Sequence, residues 1–362
     1  MVAARGVRNM ISKTERHPAP ISVKGDSGQV PSIPADQAGY LIATAARAPS
    51  VHNTQPWLFR RDGAAMELFA DPRRKLRVDP AGREMLMSCG AALFGLRLGI
   101  RSLGYLPVVE LLPDRRRPRL LARVRLGTPA PITGPELLML EALPHRHTHR
   151  GPFADEPLPD KLLAGLQHDA LVEGATLALV ESADAYRHLA DLAKVAEREQ
   201  DLDPLNRAEV RRWRRPPGST ARDGIPVQAF AAGAFPEWAG DRRGRMRQRD
   251  FDQGRALGLL TASGPAAAAT AVLITRTDTP ADWLRAGQAL HRLLAHAASR
   301  WVFASLYTQP IEAEEIRAQI RARLSLPGVP QIVLQLGIAR VTQATARRPP
   351  AELTEPPSRR RR

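Results

Sequence analysis

The sequence predicts an α+β fold of two similar units fused in one chain of 362 residues, each unit a mixed or antiparallel sheet flanked by helices. Two observations predict it. Each half combines pairs of apolar strand segments with one long helical pattern that carries glycine, at residues 83–103 and 282–298. A proline-rich stretch at residues 127–135 separates the halves. We therefore expect one unit at residues 36–130 and a second at residues 131–341.

The two ends of the chain lack the hydrophobic periodicity of a packed helix or strand. Residues 1–35 mix prolines, glycines and basic residues, which predicts a disordered leader. Residues 342–362 are rich in proline and arginine, which predicts a disordered basic tail. Folded structure is expected to begin near Ala35.

The first unit opens with an alanine-rich helix that ends near Ala46. After a loop, two strands are joined by a turn at Asp62-Gly63, and a long helix follows whose three glycines allow another helix or a ring to approach closely. Two further strands complete the unit. The predicted strands cover residues 57–59, 66–69, 108–112 and 120–126, and the long helix covers residues 83–103.

The second unit alternates helices and strands around one long insertion. Residues 203–250 hold Trp213, Phe230, Phe235 and Trp238 among prolines, glycines and arginines. Aromatic residues in so long a connection predict a flap that covers a site. The predicted helices cover residues 136–143, 183–199, 282–298 and 313–324, and the predicted strands cover residues 177–180, 266–275 and 330–337.

Composition and charge limit the functional classes. The formal charge is +16, but residues 205–250 and the two tails carry most of the excess, and 48 arginines stand against 5 lysines. Such a bias is typical of whole-protein composition as much as of a phosphate-binding surface, so we expect no nucleic-acid partner. A basic nucleic-acid-binding protein, or another non-catalytic binding protein, is the alternative to an enzyme. The single cysteine, Cys89, excludes an intramolecular disulfide and fits a reducing cytoplasm.

Membrane insertion is not expected. Residues 256–275 contain no charged side chain, but Ser263-Gly264-Pro265 interrupts the run, and alanine and glycine contribute little transfer free energy. The first residues also lack the compact apolar segment of a secretory signal. We interpret residues 266–275 as a buried strand.

Residues 48–57, with the sequence APSVHNTQPW, form the densest cluster of functional residue types. Pro49 ends the preceding helix, Ser50 and Asn53 can bond to nearby backbone, and Pro56 restricts Gln55 to an extended conformation. A stiff loop of this kind suits a planar polar ligand, because ordering it on binding costs little entropy. A turn without a ligand is the alternative reading.

A second cluster lies in residues 145–153. In an extended chain Arg146, Thr148 and Arg150 share one face, which suits a phosphate group. The opposite face carries three histidines at alternate positions, a spacing that permits a metal site, but no carboxylate or cysteine motif accompanies it and we expect no metal. The alternative to a phosphate site is a solvated basic turn.

Together these motifs resemble the nitroreductase-like FMN-binding family. The loop resembles the flavin-contacting A-P-S-x-x-N-x-Q-P-W segment, and R-x-T-x-R followed by Phe153 is similar to the segment that holds the flavin phosphate and ribityl chain; both variants are closest to the Acg-like branch. The resemblance runs from about residue 36 to about residue 341. It implies a pseudo-dimer that binds one FMN between its halves, since the first half carries only the loop and the second only the arginine motif.

The resemblance also implies the contacts of that FMN. Arg146, Thr148 and Arg150 would hold the phosphate and ribityl chain, while Ser50, His52 and Asn53 would bond the polar edge of the ring. Residues 306–310 look like the family's loop at the reactive edge of the ring, which adds Gln309 to the cofactor-binding set. At Gln335 the chain departs from the branch, where an arginine is expected.

Two functions follow from the resemblance. One is a flavin-dependent oxidoreductase in which NAD(P)H reduces FMN and the flavin reduces a nitroaromatic or quinone. The other is a protein that sequesters FMN under the 203–250 flap, as proposed for the Acg-like branch. Neither reading fixes a catalytic residue. The oligomeric state is open between a pseudo-dimeric monomer and a homodimer.

Overall fold

The computed structural model describes residues 32–151, 153–226, 229, 268–339 and 345–356. In the first unit, helix α1 (Ala35–Ala45) precedes strands β1 (Trp57–Asp62) and β2 (Ala65–Ala70). Helix α2 (Arg83–Ser102) and strands β3 (Tyr105–Leu111) and β4 (Leu120–Pro129) complete the unit. The four strands form one antiparallel sheet in the order β1-β2-β4-β3. Helices α1 and α2 pack on it around a core that includes Trp57, Phe59 and Leu96.

The second unit also contains a four-stranded antiparallel sheet, in the order β5-β8-β10-β9. The predicted α+β fold of two sheet-and-helix units is therefore confirmed. The elements are α3 (Gly134–Ala142), α4 (Asp160–Val172), β5 (Thr176–Leu179), α5 (Ala183–Leu202), α6 (Pro204–Trp213), β6 (Arg214–Arg215), β7 (Ile225–Pro226), β8 (Ala269–Thr275), α7 (Pro280–Ser299), β9 (Val302–Tyr307), α8 (Gln309–Glu312), α9 (Glu314–Arg323) and β10 (Val329–Ile338).

Helices α2 and α7 join the two units through a glycine contact. A Cβ atom on Gly287 would lie 1.9 Å from the Met87 carbonyl oxygen, and one on Gly90 would lie 2.2 Å from the Leu284 carbonyl oxygen. The two backbones therefore touch at this crossing. No side chain can be accommodated there, because the opposing atoms are backbone and have no rotamer to change.

This contact gives a testable prediction. Gly287→Ala should lower the free energy of unfolding by about 3 kcal/mol, since the methyl group can fit only if the helices separate. Urea denaturation measures the change. Gly39→Ala is the matched control, because it lies in α1 with no atom within 4 Å of its added methyl. The control should be neutral or slightly stabilising. Equal losses in both variants would contradict the close contact.

Several predicted elements need correction. Sequence reasoning missed helix α4, and it assigned residues 306–310 to a loop, whereas Leu306 and Tyr307 end strand β9 and Gln309 begins the short helix α8. Strand β9 was missed because its residues Val302–Tyr307 are mostly apolar and carry no alternation. The other predicted helices and strands lie within a few residues of their observed bounds, as far as the described residues extend.

The tail prediction is wrong for residues 345–356, which fold onto the first unit. Leu353 is fully buried in the core that contains Trp57. The Glu355 N–H donates to the Phe59 carbonyl at 2.8 Å, and Thr354 forms a bridge with Phe59. The remaining tail residues and leader residues 1–31 lie outside the described part of the chain.

The described part of the insertion is folded as well. Helix α6 and the paired segments β6 and β7 lie beside the first unit, and Trp213 is buried with the guanidiniums of Arg74, Arg212 and Arg215 near its ring. Trp213 is therefore a packed residue. Phe230, Phe235 and Trp238 lie outside the described residues. No helix of the described residues is long and apolar enough to cross a membrane.

Candidate functional site

A pocket lies where the two units meet. Its empty space, part of which is open to solvent, amounts to about 750 Å³. The first unit supplies the loop after α1 and one side of α2, and the second supplies the 148–150 segment, α7, the end of β9 and β10. The lining residues are Pro49, Ser50, Val51, His52, Glu84, Met87, Ser88, Ala91, Thr148, Arg150, Leu290, Leu306, Thr308, Gln331 and Ile332. Ser50, His52, Thr148 and Arg150 are thus brought together as the sequence predicts.

The loop after α1 holds a strained backbone. His52, Asn53 and Gln55 have φ angles of 52°, 55° and 50°, in the left-handed region that residues other than glycine seldom adopt. The expectation that Pro56 holds Gln55 extended is therefore wrong, because hydrogen bonds of its backbone N–H and its side chain fix Gln55 in this region. The Ser50 hydroxyl accepts a hydrogen bond from the Gln55 N–H at 3.0 Å. Strain of this kind persists only where surrounding structure holds it in place.

Asn53 provides part of that support and does not line the pocket. Its side-chain amide donates to the carbonyls of Gly224 and Ala346, at 3.1 and 3.0 Å, and its Oδ1 accepts from Arg347 at 3.1 Å. Asn53 therefore ties the loop to the insertion and to the C-terminal segment. The structure does not bring it together with Ser50 and His52 on the pocket wall.

Gln55 and Arg74 secure the same loop. The Gln55 side chain donates to the Arg222 carbonyl and accepts from the Arg348 N–H, both at 2.8 Å. Arg74 donates to the Thr54 carbonyl at 2.8 Å and pairs with Asp223 at 2.9 Å. Residues 222–224 and 346–348 thus hold the loop from two sides, although more than 150 positions of sequence separate each from it.

Four arginines from three parts of the chain converge beside the pocket: Arg47, Arg146, Arg150 and Arg347. Arg146 is buried, and its Nη2 donates to the Arg47 carbonyl at 3.1 Å. Its Nε and Nη1 have no hydrogen-bond partner among the described residues. Burial, together with the positive charges of Arg150 and Arg47, lowers the pKa of Arg146 to about 10. We call these four residues the arginine cluster.

Sequence reasoning missed two members of the cluster, Arg47 and Arg347. Arg347 is partly exposed, but its Nε is buried without a partner among the described residues. Burial and the charges of the other three arginines hold its pKa well below the usual value. No carboxylate of the described residues pairs with Arg146 or Arg347. Unpartnered buried donors at both residues are unusual, since nearly all buried polar groups find a partner.

Segment 146–150 starts from the turn after α3, where the Arg146 N–H donates to the Ala142 carbonyl at 2.9 Å, and then runs beside strand β9. Thr148 bridges to Ala304 of β9, and the His149 N–H donates to the Ala304 carbonyl at 2.8 Å. The three histidines of this segment pack on aromatic rings: His145 on Trp301, His147 on Phe303 and His149 on Phe153. Among the described residues there is no group of three His, Cys, Asp or Glu side chains that could hold a metal ion.

Gln309 and Gln335 lie away from the pocket wall. Gln309 is buried at the start of α8. Gln335 accepts a hydrogen bond from the Tyr307 hydroxyl at 2.7 Å and donates weakly to Tyr186 and Thr270. Gln335 is thus part of the polar packing of the second unit.

His291 of α7 lies in the same region. It has no exposed surface, and its Nδ1 is 2.6 Å from the Ala91 carbonyl oxygen, which can only accept. The ring therefore carries its proton on Nδ1, and Nε2 is left as an acceptor with no partner among the described residues. Burial, with Arg146 and Arg347 nearby, lowers the pKa of His291 to about 3.

Neutral His291 predicts a loss of stability in acid. Its folded pKa is about 3, whereas an unfolded histidine titrates near 6.5, so the unfolded chain binds more protons as the pH falls below that value. Between pH 7 and pH 5 this costs about 2 kcal/mol. His291→Gln should remove that share of the pH dependence, measured by urea unfolding at both values. His168→Gln, on the exposed face of α4, is the control; an unchanged difference in His291→Gln would contradict the neutral buried ring.

Comparison with known proteins finds relatives that are named nitroreductases. A scan against models of protein families finds no match. The chain is 30% identical over 326 residues to "Putative NAD(P)H nitroreductase Rv3131" of Mycobacterium tuberculosis, covering 89% of this chain and 91% of the relative. It is 29% identical over 325 residues to "Putative NAD(P)H nitroreductase acg" of the same organism, covering 85% and 92%.

A solved structure shares the fold. The crystal structure of "a putative nitroreductase" from Anabaena variabilis aligns with this chain at a TM-score of 0.51 and 11% identity. The alignment covers 84% of this chain and 88% of that one. At 11% sequence identity this alignment supports a shared fold and nothing about function. The relatives from Mycobacterium cover nearly the whole chain at about 30% identity. The chain therefore belongs to the nitroreductase-like family, in the branch that includes Acg.

Proposed function

We propose that this protein binds one molecule of FMN in the pocket between its units and acts as an FMN-dependent oxidoreductase of the nitroreductase kind, with NAD(P)H as the electron donor. The observation that carries the proposal is the arginine cluster beside the pocket. Arg146 holds a buried guanidinium with two unused donors, a costly arrangement unless an anion meets it. The printed names of the relatives support the nicotinamide donor.

The residues present fit a phosphate group. Arginine presents planar paired donors that match phosphate oxygens, and charge-assisted bonds are worth about 1.5–3 kcal/mol each. Arg146 and Arg347 have donors to spare, and Thr148 and Arg150 line the adjoining pocket wall. An anion here would also relieve the mutual repulsion of the cluster. Arg146, Arg150 and Arg347 would hold the phosphate, with Thr148 beside them.

The rest of the pocket fits a planar ring. Met87, Ala91, Leu290, Leu306 and Ile332 supply apolar surface. On α2 the lining extends from Glu84 to Ala91, about 10 Å along the helix axis. Ser50, His52, Ser88 and Thr308 add polar groups along the wall. When bound, FMN supplies hydride transfer, and these residues orient it and limit the access of water.

A single site follows from the difference between the two units. Helix α4 packs on α7 much as α1 packs on α2. Beside α1, no acidic residue in the described part of the chain pairs with Arg146 or Arg347 of the arginine cluster. Beside α4, Asp169 pairs with Arg292 and His296, and Glu173 pairs with Arg292 and Arg97. Positive charge on that side is already neutralised, so a second phosphate gains little there.

Binding of FMN and riboflavin tests the proposal. We expect FMN to bind at least ~100-fold more tightly than riboflavin, which lacks the phosphate, because two or more charge-assisted bonds are absent. Flavin fluorescence titration measures both affinities. Bound FMN should then be bleached by NADH or NADPH without oxygen. Equal affinities would contradict the phosphate site, and bleaching by dithionite alone would contradict the nicotinamide-dependent reaction.

Sequestration of FMN is the second candidate, and one observation favours it. Residues 222–224 are bonded to the pocket loop, so the insertion leaves the described structure close to the pocket. A lid test must spare residues 204–226, because they support the loop. Replacing residues 231–266 by a short Gly-Ser linker should speed nicotinamide-dependent bleaching if the insertion restricts access. Equal rates with and without these residues would contradict a lid.

The remaining partners follow from the same proposal. A nitroaromatic or quinone would accept electrons from the reduced flavin. The buried, reduced Cys89 is compatible with a cytoplasmic protein. Because both units contribute to the pocket within one chain, a monomer would suffice for binding, and FMN affinity should not depend on protein concentration.

A further inference from the structure

We infer that Asp223 is a positioning residue for the flavin site, because it holds Arg74 against the loop after α1. Ser50 and His52 of that loop line the pocket in which FMN is proposed to bind. Asp223 itself does not line the pocket. It acts on the flavin only through the loop, so its role rests on the proposed function and extends it.

One guanidinium nitrogen of Arg74 joins Asp223 to the loop. Nη1 of Arg74 donates to the Thr54 carbonyl at 2.8 Å and to Oδ2 of Asp223 at 2.9 Å. Oδ1 of Asp223 accepts from Nη2 of Arg215 at 2.6 Å. Burial raises the pKa of Asp223, but hydrogen bonds from Arg215 and Arg74 outweigh it and hold the pKa below its usual value. The charged carboxylate therefore fixes Arg74 at the loop backbone.

Both sequence neighbours of the aspartate bond to the loop as well. The Gln55 side chain donates to the Arg222 carbonyl at 2.8 Å. The Gly224 N–H donates to the Asn53 carbonyl at 3.3 Å, and the Asn53 amide donates to the Gly224 carbonyl at 3.1 Å. Three consecutive residues of the insertion thus hold three consecutive residues of the loop. We call residues 222–224 the clasp.

The clasp is itself held in place by helix α6. Gly224 has a φ angle of 71°, and a Cβ atom on it would lie 2.5 Å from the Trp213 carbonyl oxygen at the end of that helix. Ile225, the next residue, is buried in a small apolar cluster with Val210 of α6. The clasp cannot shift without moving the helix, so it is a rigid support for the loop.

The loop needs a rigid support because its backbone is strained. His52, Asn53 and Gln55 adopt left-handed φ angles, which cost free energy at residues other than glycine. Asn53 and Gln55 bind the clasp, whereas Ser50 and His52 lie on the pocket wall. When the clasp loosens, the strain favours a relaxed loop, and the two wall residues lose their positions.

Asp223→Asn tests the inference in the full-length protein. Loss of the carboxylate makes the protein more positive, so electrostatics alone would leave the affinity for the FMN phosphate unchanged or raise it. We expect the opposite, a fall of about tenfold, the effect of one lost charge-assisted hydrogen bond. Fluorescence titration with FMN measures the affinity. The visible circular dichroism of FMN at saturation should also change, because the ring lies against a displaced loop.

Two further variants separate positioning from stability. Glu67→Gln disrupts a buried carboxylate that pairs with three arginines on the first sheet, away from the pocket wall. It should lose at least as much stability to urea as Asp223→Asn, yet keep the affinity for FMN and its spectrum. Arg74→Met removes the bond to Thr54 and should weaken binding. The double variant of Asp223 and Arg74 should bind FMN little worse than Arg74→Met, because both changes break one contact.

The outcomes separate this inference from the proposed function. If the wild-type protein does not bind FMN, the proposed site is wrong and the positioning role with it. If the wild type binds FMN and Asp223→Asn binds it equally well, only the positioning role is wrong. Equal losses of affinity in Asp223→Asn and Glu67→Gln would assign the effect to stability. Additive losses in the double variant would show that Asp223 does not act through Arg74. Either result overturns the inference.

Discussion

Replacing Arg146 and Arg150 together by alanine is expected to weaken FMN binding by at least ~100-fold, since each charge-assisted bond contributes about 1.5–3 kcal/mol. Both residues are proposed phosphate ligands, and burial lowers the pKa of each to about 10. A pKa still well above 7 leaves both guanidiniums charged at neutral pH. Fluorescence titration gives the affinity. A change of less than threefold would show that the phosphate binds elsewhere.

Replacing Arg146 should stabilise the flavin-free protein although it weakens FMN binding. Arg146→Leu removes a buried charge with two unsatisfied donors, so the free energy of unfolding should rise by about 1–3 kcal/mol while FMN affinity falls. Arg101→Leu is the matched control, because Arg101 is equally buried but pairs with Glu136 and with backbone carbonyls. The control should lose stability and keep its FMN affinity. A stability loss in Arg146→Leu would contradict the description of Arg146 as a destabilising binding residue.

The second large effect concerns the C-terminal segment. A chain that ends at residue 343 loses the burial of Leu353, worth about 2–3 kcal/mol, together with the bonds from Arg347 to Asn53 and from Arg348 to Gln55. Both the stability and the geometry of the strained loop depend on these contacts. We expect loss of FMN binding and a lower midpoint of urea denaturation.

A chain that ends at residue 356 is the control for that truncation. It removes four terminal arginines and retains every contact of residues 345–356. It should bind FMN like the full-length chain. If both truncated chains lose affinity equally, general positive charge accounts for binding, and the specific contacts of residues 345–356 do not.

Much of the framework could be predicted from the sequence because it depends on local patterns. The Asp62-Gly63 turn between two apolar segments predicts the β1–β2 hairpin, and Gly63 adopts the positive φ that the turn requires. The glycine-bearing patterns predict α2 and α7, and their glycines prove to be the contact between the units. The alternation of an extended chain predicts one shared face for Arg146, Thr148 and Arg150, of which Thr148 and Arg150 line the pocket.

The sequence-based predictions are wrong where contacts between distant parts of the chain determine the structure. Asn53 was expected to face the ligand, but its amide is bound by Gly224, Ala346 and Arg347, contacts that no local pattern reveals. Proline and arginine content predicted disorder for the tail, yet residues 345–356 dock through one buried apolar residue, Leu353, and through hydrogen bonds to Asn53, Gln55 and Phe59. Helix α4 is different, because the helical spacing of Leu162, Leu163, Leu166 and Ala170 is a local signal that predicts it.

The number of FMN molecules bound per chain tests the central claim most directly. Native mass spectrometry of the flavin-loaded protein, diluted until it is monomeric, reports this number without requiring turnover. The asymmetry between the arginine cluster beside α1 and the ion pairs of Asp169 and Glu173 beside α4 predicts one FMN per monomer. Two FMN per chain, or none on the monomer, would contradict a single site formed between the two units.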